Sequence, residues 1–101
     1  MANVTSNNER IILLNANIVS GATSDAVSSR EWRYNAIQGI LAGSATLDVE
    51  ISLDGTNFVK LGSTLSTSGI VQIPVGVYSH IRVKKSASTD AVTAVLLRVR
   101  Q

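Results

Sequence analysis

Between Ala45 and Leu53 the chain alternates without exception. Ala45, Leu47, Val49, Ile51 and Leu53 are apolar, and Thr46, Asp48, Glu50 and Ser52 between them are polar. A period of two sends successive side chains to opposite faces of an extended strand, so this segment reads as a strand with one face in a core and one in water. Asp54-Gly55-Thr56-Asn57 follows, residues that tolerate positive φ and bond their own backbone, and Phe58 to Leu61 resumes an extended run. The stretch is a β-hairpin, and it commits this part of the chain to a sheet.

The rest of the chain follows the same period. Ile11 to Val19 is an apolar run that opens without alternation, as in a strand covered on both sides. Gly21 to Arg30 is small and polar, a loop with a short edge strand around Asp25 to Ser28. In Glu31 to Leu41, Trp32, Tyr34 and Ala36 alternate with Glu31, Arg33 and Asn35, which puts the aromatics on the expected core face. The phase then shifts, and a bulge near Gln38-Gly39 accounts for it. Gly62 to Gly69 is turn material around Leu65, and Ile70 to Val75 is a short strand whose Pro74 belongs at a strand end or sheet edge. Val77 to Lys85 and Ala91 to Arg100 are the last two strands, joined by the polar Ser86 to Asp90. Short β-branched runs punctuated by glycine and serine, with no helical period, predict an all-β antiparallel sandwich, jelly-roll-like, of about seven or eight strands. The polar residues 1–10 are expected to form a flexible arm, and 11–101 a single domain.

Composition narrows the class of function. The chain has 101 residues and no cysteine, so neither a disulfide framework nor a thiolate metal site supports it. No early apolar run is long enough for a signal core or a membrane span, and synthesis in a cytoplasm is the expectation. The formal charge of +2 is unevenly placed. Arg82, Lys84, Lys85, Arg98 and Arg100 stand against Asp90 alone in the last quarter, a basic region that suits an acidic partner surface. The same charges also serve to keep strand edges apart.

The residues that do chemistry are sparse. His80 is the only histidine, no G-x-S-x-G elbow surrounds any serine, and the phosphate-cradling glycine loops are absent. Asp48 and Glu50 share a strand face at a spacing compatible with a glycosidase carboxylate pair, but they read first as the wet side of an amphipathic strand. Asp54 with Asn57 offers too few oxygens for a calcium loop. The reading is of a protein that is not an enzyme, with no catalytic, cofactor or metal residues. Basic residues with no interleaved aromatic except Tyr78 argue against nucleic acid as a partner.

What remains is surface. If Lys84 pairs with Val92 across the Ser86 to Asp90 turn, then Arg82 faces Ala94, His80 faces Leu96 and Tyr78 faces Arg98. These eight residues would form an interface with an apolar centre and a charged rim. A register slip of one residue would exchange the two faces. The thin aromatic supply, four residues in all, and the doubly apolar first strand predict a homo-oligomer or docking on a repetitive shell.

The run Ser52-Leu53-Asp54-Gly55-Thr56-Asn57-Phe58, followed by Val59-Lys60-Leu61-Gly62 and later by Tyr78-Ser79-His80-Ile81-Arg82-Val83, resembles small β-sandwich structural proteins of tailed bacteriophages. The hairpin motif is shared with discoidin-like carbohydrate-binding jelly rolls. The phage resemblance implies a virion component, a capsid decoration or head or tail accessory protein, whose partners are other virion proteins such as the major capsid or tail proteins. The alternative it leaves open is a carbohydrate-binding module, which would present exposed aromatics to sugar rings.

Overall fold

A computed structural model describes residues 8–30, 32–76 and 78–100. The expected arm at residues 1–10 falls partly outside them, as do Glu31 and Val77. Asn8, Glu9 and Arg10, also assigned to that arm, are already paired in the first strand.

Eight strands occur in the order β1 (Asn8–Asn17), β2 (Val27–Ser28), β3 (Tyr34–Leu41), β4 (Leu47–Ser52), β5 (Val59–Lys60), β6 (Gly69–Ile73), β7 (His80–Lys85) and β8 (Val92–Val99). They form two four-stranded antiparallel sheets, β1-β8-β3-β6 and β2-β7-β4-β5. First pairs with last, second with seventh, third with sixth and fourth with fifth, which is the rolled-up double Greek key of a jelly roll. The predicted sandwich is thus present, with eight strands.

The core lies between the sheets. Ile37, Val92, Ala94 and Leu96 from the first sheet meet Leu47, Val49, Ile81 and Val83 from the second, all buried. The hairpin follows the alternation only in part: Leu47 and Val49 point inward, and β5 returns with Lys60 opposite Glu50 and Val59 opposite Ile51, but Ser52, expected in water, is buried and Leu53, expected in the core, is 73% exposed, because the turn begins there and engages the Ser52 hydroxyl, which accepts from the Gly55 N–H at 2.8 Å. Its turn is held by Asp54. Oδ1 of Asp54 accepts from the backbone N–H groups of Thr56 at 2.9 Å and Asn57 at 2.8 Å and from the Ser52 hydroxyl at 3.0 Å.

Three further expectations need correction. The last two strands do not pair. β7 lies beside β4 with Lys84 opposite Asp48, while β8 lies between β1 and β3, so Ser86 to Asp90 carries the chain from one sheet to the other. A short connection favours a local hairpin, and here the roll overrides that preference. Second, β3 is in the opposite phase to that expected. Asn35 and Ile37 point into the core, and Tyr34 stands on the outside. Third, no bulge interrupts β3, which pairs in continuous register with both neighbours. Gly39 serves close approach instead, since a Cβ there would lie 3.0 Å from Leu47 Cδ2 and 3.2 Å from Leu65 Cδ1 in the facing sheet. The irregular strand is β1, whose register shifts between Ile12 and Leu14 and again before Asn17. The first shift turns Leu14 into the core, and Ala16 takes a φ of 46° at the second, where its N–H reaches the Thr93 hydroxyl at 2.9 Å.

Candidate functional site

The two sheets present outer faces of opposite character. On β2-β7-β4-β5 that face is polar and internally paired. Arg82 Nε donates to Glu50 Oε1 at 2.6 Å and its guanidinium lies 4.0 Å over the Phe58 ring. The Asp48 carboxylate accepts from the Thr64 hydroxyl, which in turn accepts from Lys60 Nζ at 3.1 Å. Asp48 and Glu50 therefore have separate partners and do not face a common reacting centre. His80 Nδ1 lies 2.8 Å from the Ser79 hydroxyl, and that hydroxyl donates to the Ser52 carbonyl at 3.2 Å, inside the sandwich wall. Among the described residues no three His, Asp or Glu side chains gather where a metal could be held.

The outer face of β1-β8-β3-β6 is the reverse. The register places Ile12, Val95, Gln38 and Ile70 in one row across the four strands, and Arg10, Leu97, Ala36 and Gln72 in the next. Thr93 and Ile40 continue it at one end, Val99 and Tyr34 at the other. Ile12, Ile40, Ile70, Leu97 and Tyr34 are all exposed, with Ile70 at 66% and Leu97 at 49%. Arg10 is the one charged side chain in these rows. Large exposed apolar groups scattered singly mean little, but a contiguous set on one flat face is the signature of a surface that another molecule covers. Beside Ala36 the face dips into a depression of about 510 Å³ lined in part by Tyr34, Gln72, Pro74, Val75, Leu97 and Val99.

The residues expected at the interface divide between these surfaces. His80, Arg82 and Lys84 stand on the polar outer face of the second sheet, whereas Val92, Ala94 and Leu96 are fully buried in the core. The side chains that β8 turns outward are Thr93, Val95, Leu97 and Val99, the other half of the same strand. The two sets do not share a face.

Arg98 and Tyr78 meet neither surface fully but close one end of the sandwich. Arg98 is buried, donates through Nε and Nη2 to Glu9 Oε1 at 2.9 and 2.7 Å, and also bonds the Ser28 carbonyl. Its guanidinium lies 4.5 Å over the Trp32 ring, which also carries Arg100 at 4.7 Å. Trp32 is thus engaged by arginine stacking. Tyr78 Oη accepts from Asn35 Nδ2 at 3.0 Å, and burial pushes the phenol above its ordinary value. Trp32, Tyr78, Arg30, Arg33 and Arg100 line a concavity of about 650 Å³ at this end.

No protein-family model matches the chain, and no curated protein matches it by sequence. Solved structures do. The protein is an eight-stranded jelly-roll sandwich, and its architecture is similar to that of the SPBc2 prophage-derived protein YomS, with a TM-score of 0.78 at 12% identity over 91% of this chain and 92% of that one. It is more distantly similar to a subunit of Bacillus endospore appendages described as disulfide-linked pili, with a TM-score of 0.53 at 10% identity over 92% of this chain and 86% of that one. At these identities the likeness is one of fold.

Proposed function

We propose that this protein is a non-catalytic structural component of a tailed-bacteriophage particle and that it works by protein docking through the apolar outer face of β1-β8-β3-β6. The observation that carries this reading is the asymmetry of the sandwich. One outer face is polar and satisfied by its own ion pair and hydrogen bonds, and the other exposes Ile12, Ile40, Ile70 and Leu97 on a flat sheet. Covering such a face removes apolar area from water at roughly 25 cal/mol per Å². The architecture shared with a prophage-derived protein supports seeking the partner among virion proteins, with major capsid or tail proteins as the candidates. The sequence motif around Asp54 agrees with the same group.

The test is co-sedimentation with purified heads and tails of the phage that encodes the chain. The wild-type protein should pellet with one of them, Lys84→Ala on the polar face should behave alike, and Leu97→Asp should stay in the supernatant while remaining folded. Failure of the wild type to bind either particle would overturn the virion reading.

A further inference from the structure

The apolar face has a pattern that says what covers it. Across the seam between the two middle strands, the large Leu97 of β8 stands level with the small Ala36 of β3. On the two edge strands Ile12 and Ile70 lie at one level, and Arg10 and Gln72 at the next. A twofold axis lying along the strands above that seam would set β8 of one copy over β3 of another and β1 over β6. Every level then meets its own level. Leu97 falls over Ala36, Ile12 over Ile70, and the one charged side chain of these rows, Arg10, over the uncharged and exposed Gln72. A twofold axis across the strands would instead set β1 over β1, placing Arg10 over Ile12 when it runs between the two levels and over its own copy when it runs along the Arg10 level, and either way the charge is buried with nothing to offset its desolvation.

We propose that the occupant of this face is a second copy of the chain, docked face to face about a twofold axis parallel to the strands. The inference rests on the docking reading above and deepens it: a copy covers this face, and the dimer so formed is the unit that engages the particle, so Leu97→Asp loses particle binding by losing the dimer. Four strands at about 4.8 Å and seven residues at about 3.3 Å give a face of roughly 450 Å² in plan. Two copies with side-chain relief bury on the order of 1,000 Å², which reaches the lower bound of specific interfaces. The interface is isologous, so the same patch serves both copies. With Arg10 as the one charge in these rows, the face offers an acidic partner a single cation, whereas a copy of the same face offers Arg10 an amide.

The natural chain has no cysteine, so single introduced thiols report without background. Ile12→Cys and Ile70→Cys replace exposed side chains on opposite edge strands. Sheets packed face to face lie about 10 Å apart, which brings these two thiols within reach of a short bismaleimide linker, while two thiols both introduced at position 12 would also be displaced by about three strand spacings. Mixing the two variants should give abundant cross-linked dimer, and either variant alone should give little. Light scattering of the wild type should report twice the 10.7 kDa chain mass, and Leu97→Asp should return it to the single mass with an unchanged far-ultraviolet circular dichroism spectrum. A wild type monomeric at high concentration, or cross-linking of Ile12→Cys to itself in preference to the mixed pair, would overturn the proposal. The two readings part cleanly: a monomer that still pellets with phage particles removes the dimer alone, and a dimer that pellets with neither removes the virion assignment alone.

Discussion

Leu97 on β8 pairs directly across from Ala36 on β3, and both side chains stand on the outward face of their sheet. A knob next to a notch on a flat apolar surface is what close packing against another sheet requires. On the other sheet the corresponding outward pair is Arg82 opposite Glu50, a salt bridge that satisfies itself. The contrast between these two pairs is the contrast between the two sides of the protein.

The buried end of β8 depends on Arg98, whose side chain is 10% exposed while that of Glu9 is 45% exposed. Removing the guanidinium takes away the stack on Trp32 and the bond to Ser28 as well as the ion pair. Arg98→Ala should therefore cost about 2 kcal/mol. Glu9→Gln keeps an acceptor oxygen and should cost about 1 kcal/mol or less. Urea denaturation of the two variants tests the order.

Gly43 and Gly21 both have positive φ, at 54° and 69°, but their surroundings differ. A Cβ on Gly43 would collide with Asp90 Oδ2, and one on Gly21 would meet nothing. That carboxylate oxygen accepts from the Ser44 backbone N–H at 2.8 Å, tying the β3-β4 connection to the β7-β8 crossover. Gly43→Ala should thus destabilise more than Gly21→Ala by at least about 1 kcal/mol, because it adds a lost latch to the same backbone strain. Thermal unfolding of the pair reads the difference.

Acid should weaken the same turns. Backbone N–H groups of Asn57 and Thr56, chiefly, hold the Asp54 carboxyl well below the ordinary 3.8, and the Ser44 backbone N–H lowers that of Asp90. With a folded value below the unfolded one, each carboxylate contributes fully above about pH 4, and the contribution is lost as the pH falls toward the folded value. The urea midpoint should fall on acidification below about pH 4, and the fall should be smaller in Asp54→Asn/Asp90→Asn. A variant with the same acid limb as wild type would show that other groups govern it.

Lys85 lies on the inward side of β7 at 1% exposure and donates from Nζ to the Ser88 carbonyl. Its four-carbon stem fills core space at that end of the strand. Lys85→Met keeps that volume and should stay within about 1 kcal/mol of wild type, whereas Lys85→Ala should cost about 2 to 4 kcal/mol through the cavity it leaves. Chemical denaturation separates the two.

The central hairpin was legible because its alternation is strict and its turn residues are unambiguous. β8 was not, because Val92 to Val99 is small or apolar at nearly every position: Val92, Ala94 and Leu96 are no more hydrophobic than Val95, Leu97 and Val99. Periodicity sets no phase on a strand that is apolar on both sides. Only the roll, which seats β8 between β1 and β3, decides which half is core. The doubly apolar opening of β1 gave no phase either: Ile12 lies on the exposed face, and Leu14, two residues on, reaches the core only through a register shift that leaves no trace in the local sequence. Trp32 and Tyr34 misled for another reason, their alternation with Glu31, Arg33 and Asn35 implying core where their amphipathic rings serve arginine stacking at one end and the outer face. Gly39 looked like a bulge because a glycine required by a facing sheet leaves no trace in local sequence.

Methyl-resolved nuclear magnetic resonance with a soluble paramagnetic agent tests the docking face most directly. Ile12, Ile70, Leu97, Leu53 and Val59 are all exposed in the single chain, the last two away from the apolar face. In the assembled protein the Ile12, Ile70 and Leu97 methyls should be shielded from the agent, while those of Leu53 and Val59 stay fully relaxed. Equal relaxation at all five residues, or shielding confined to Leu53 and Val59, would contradict the account.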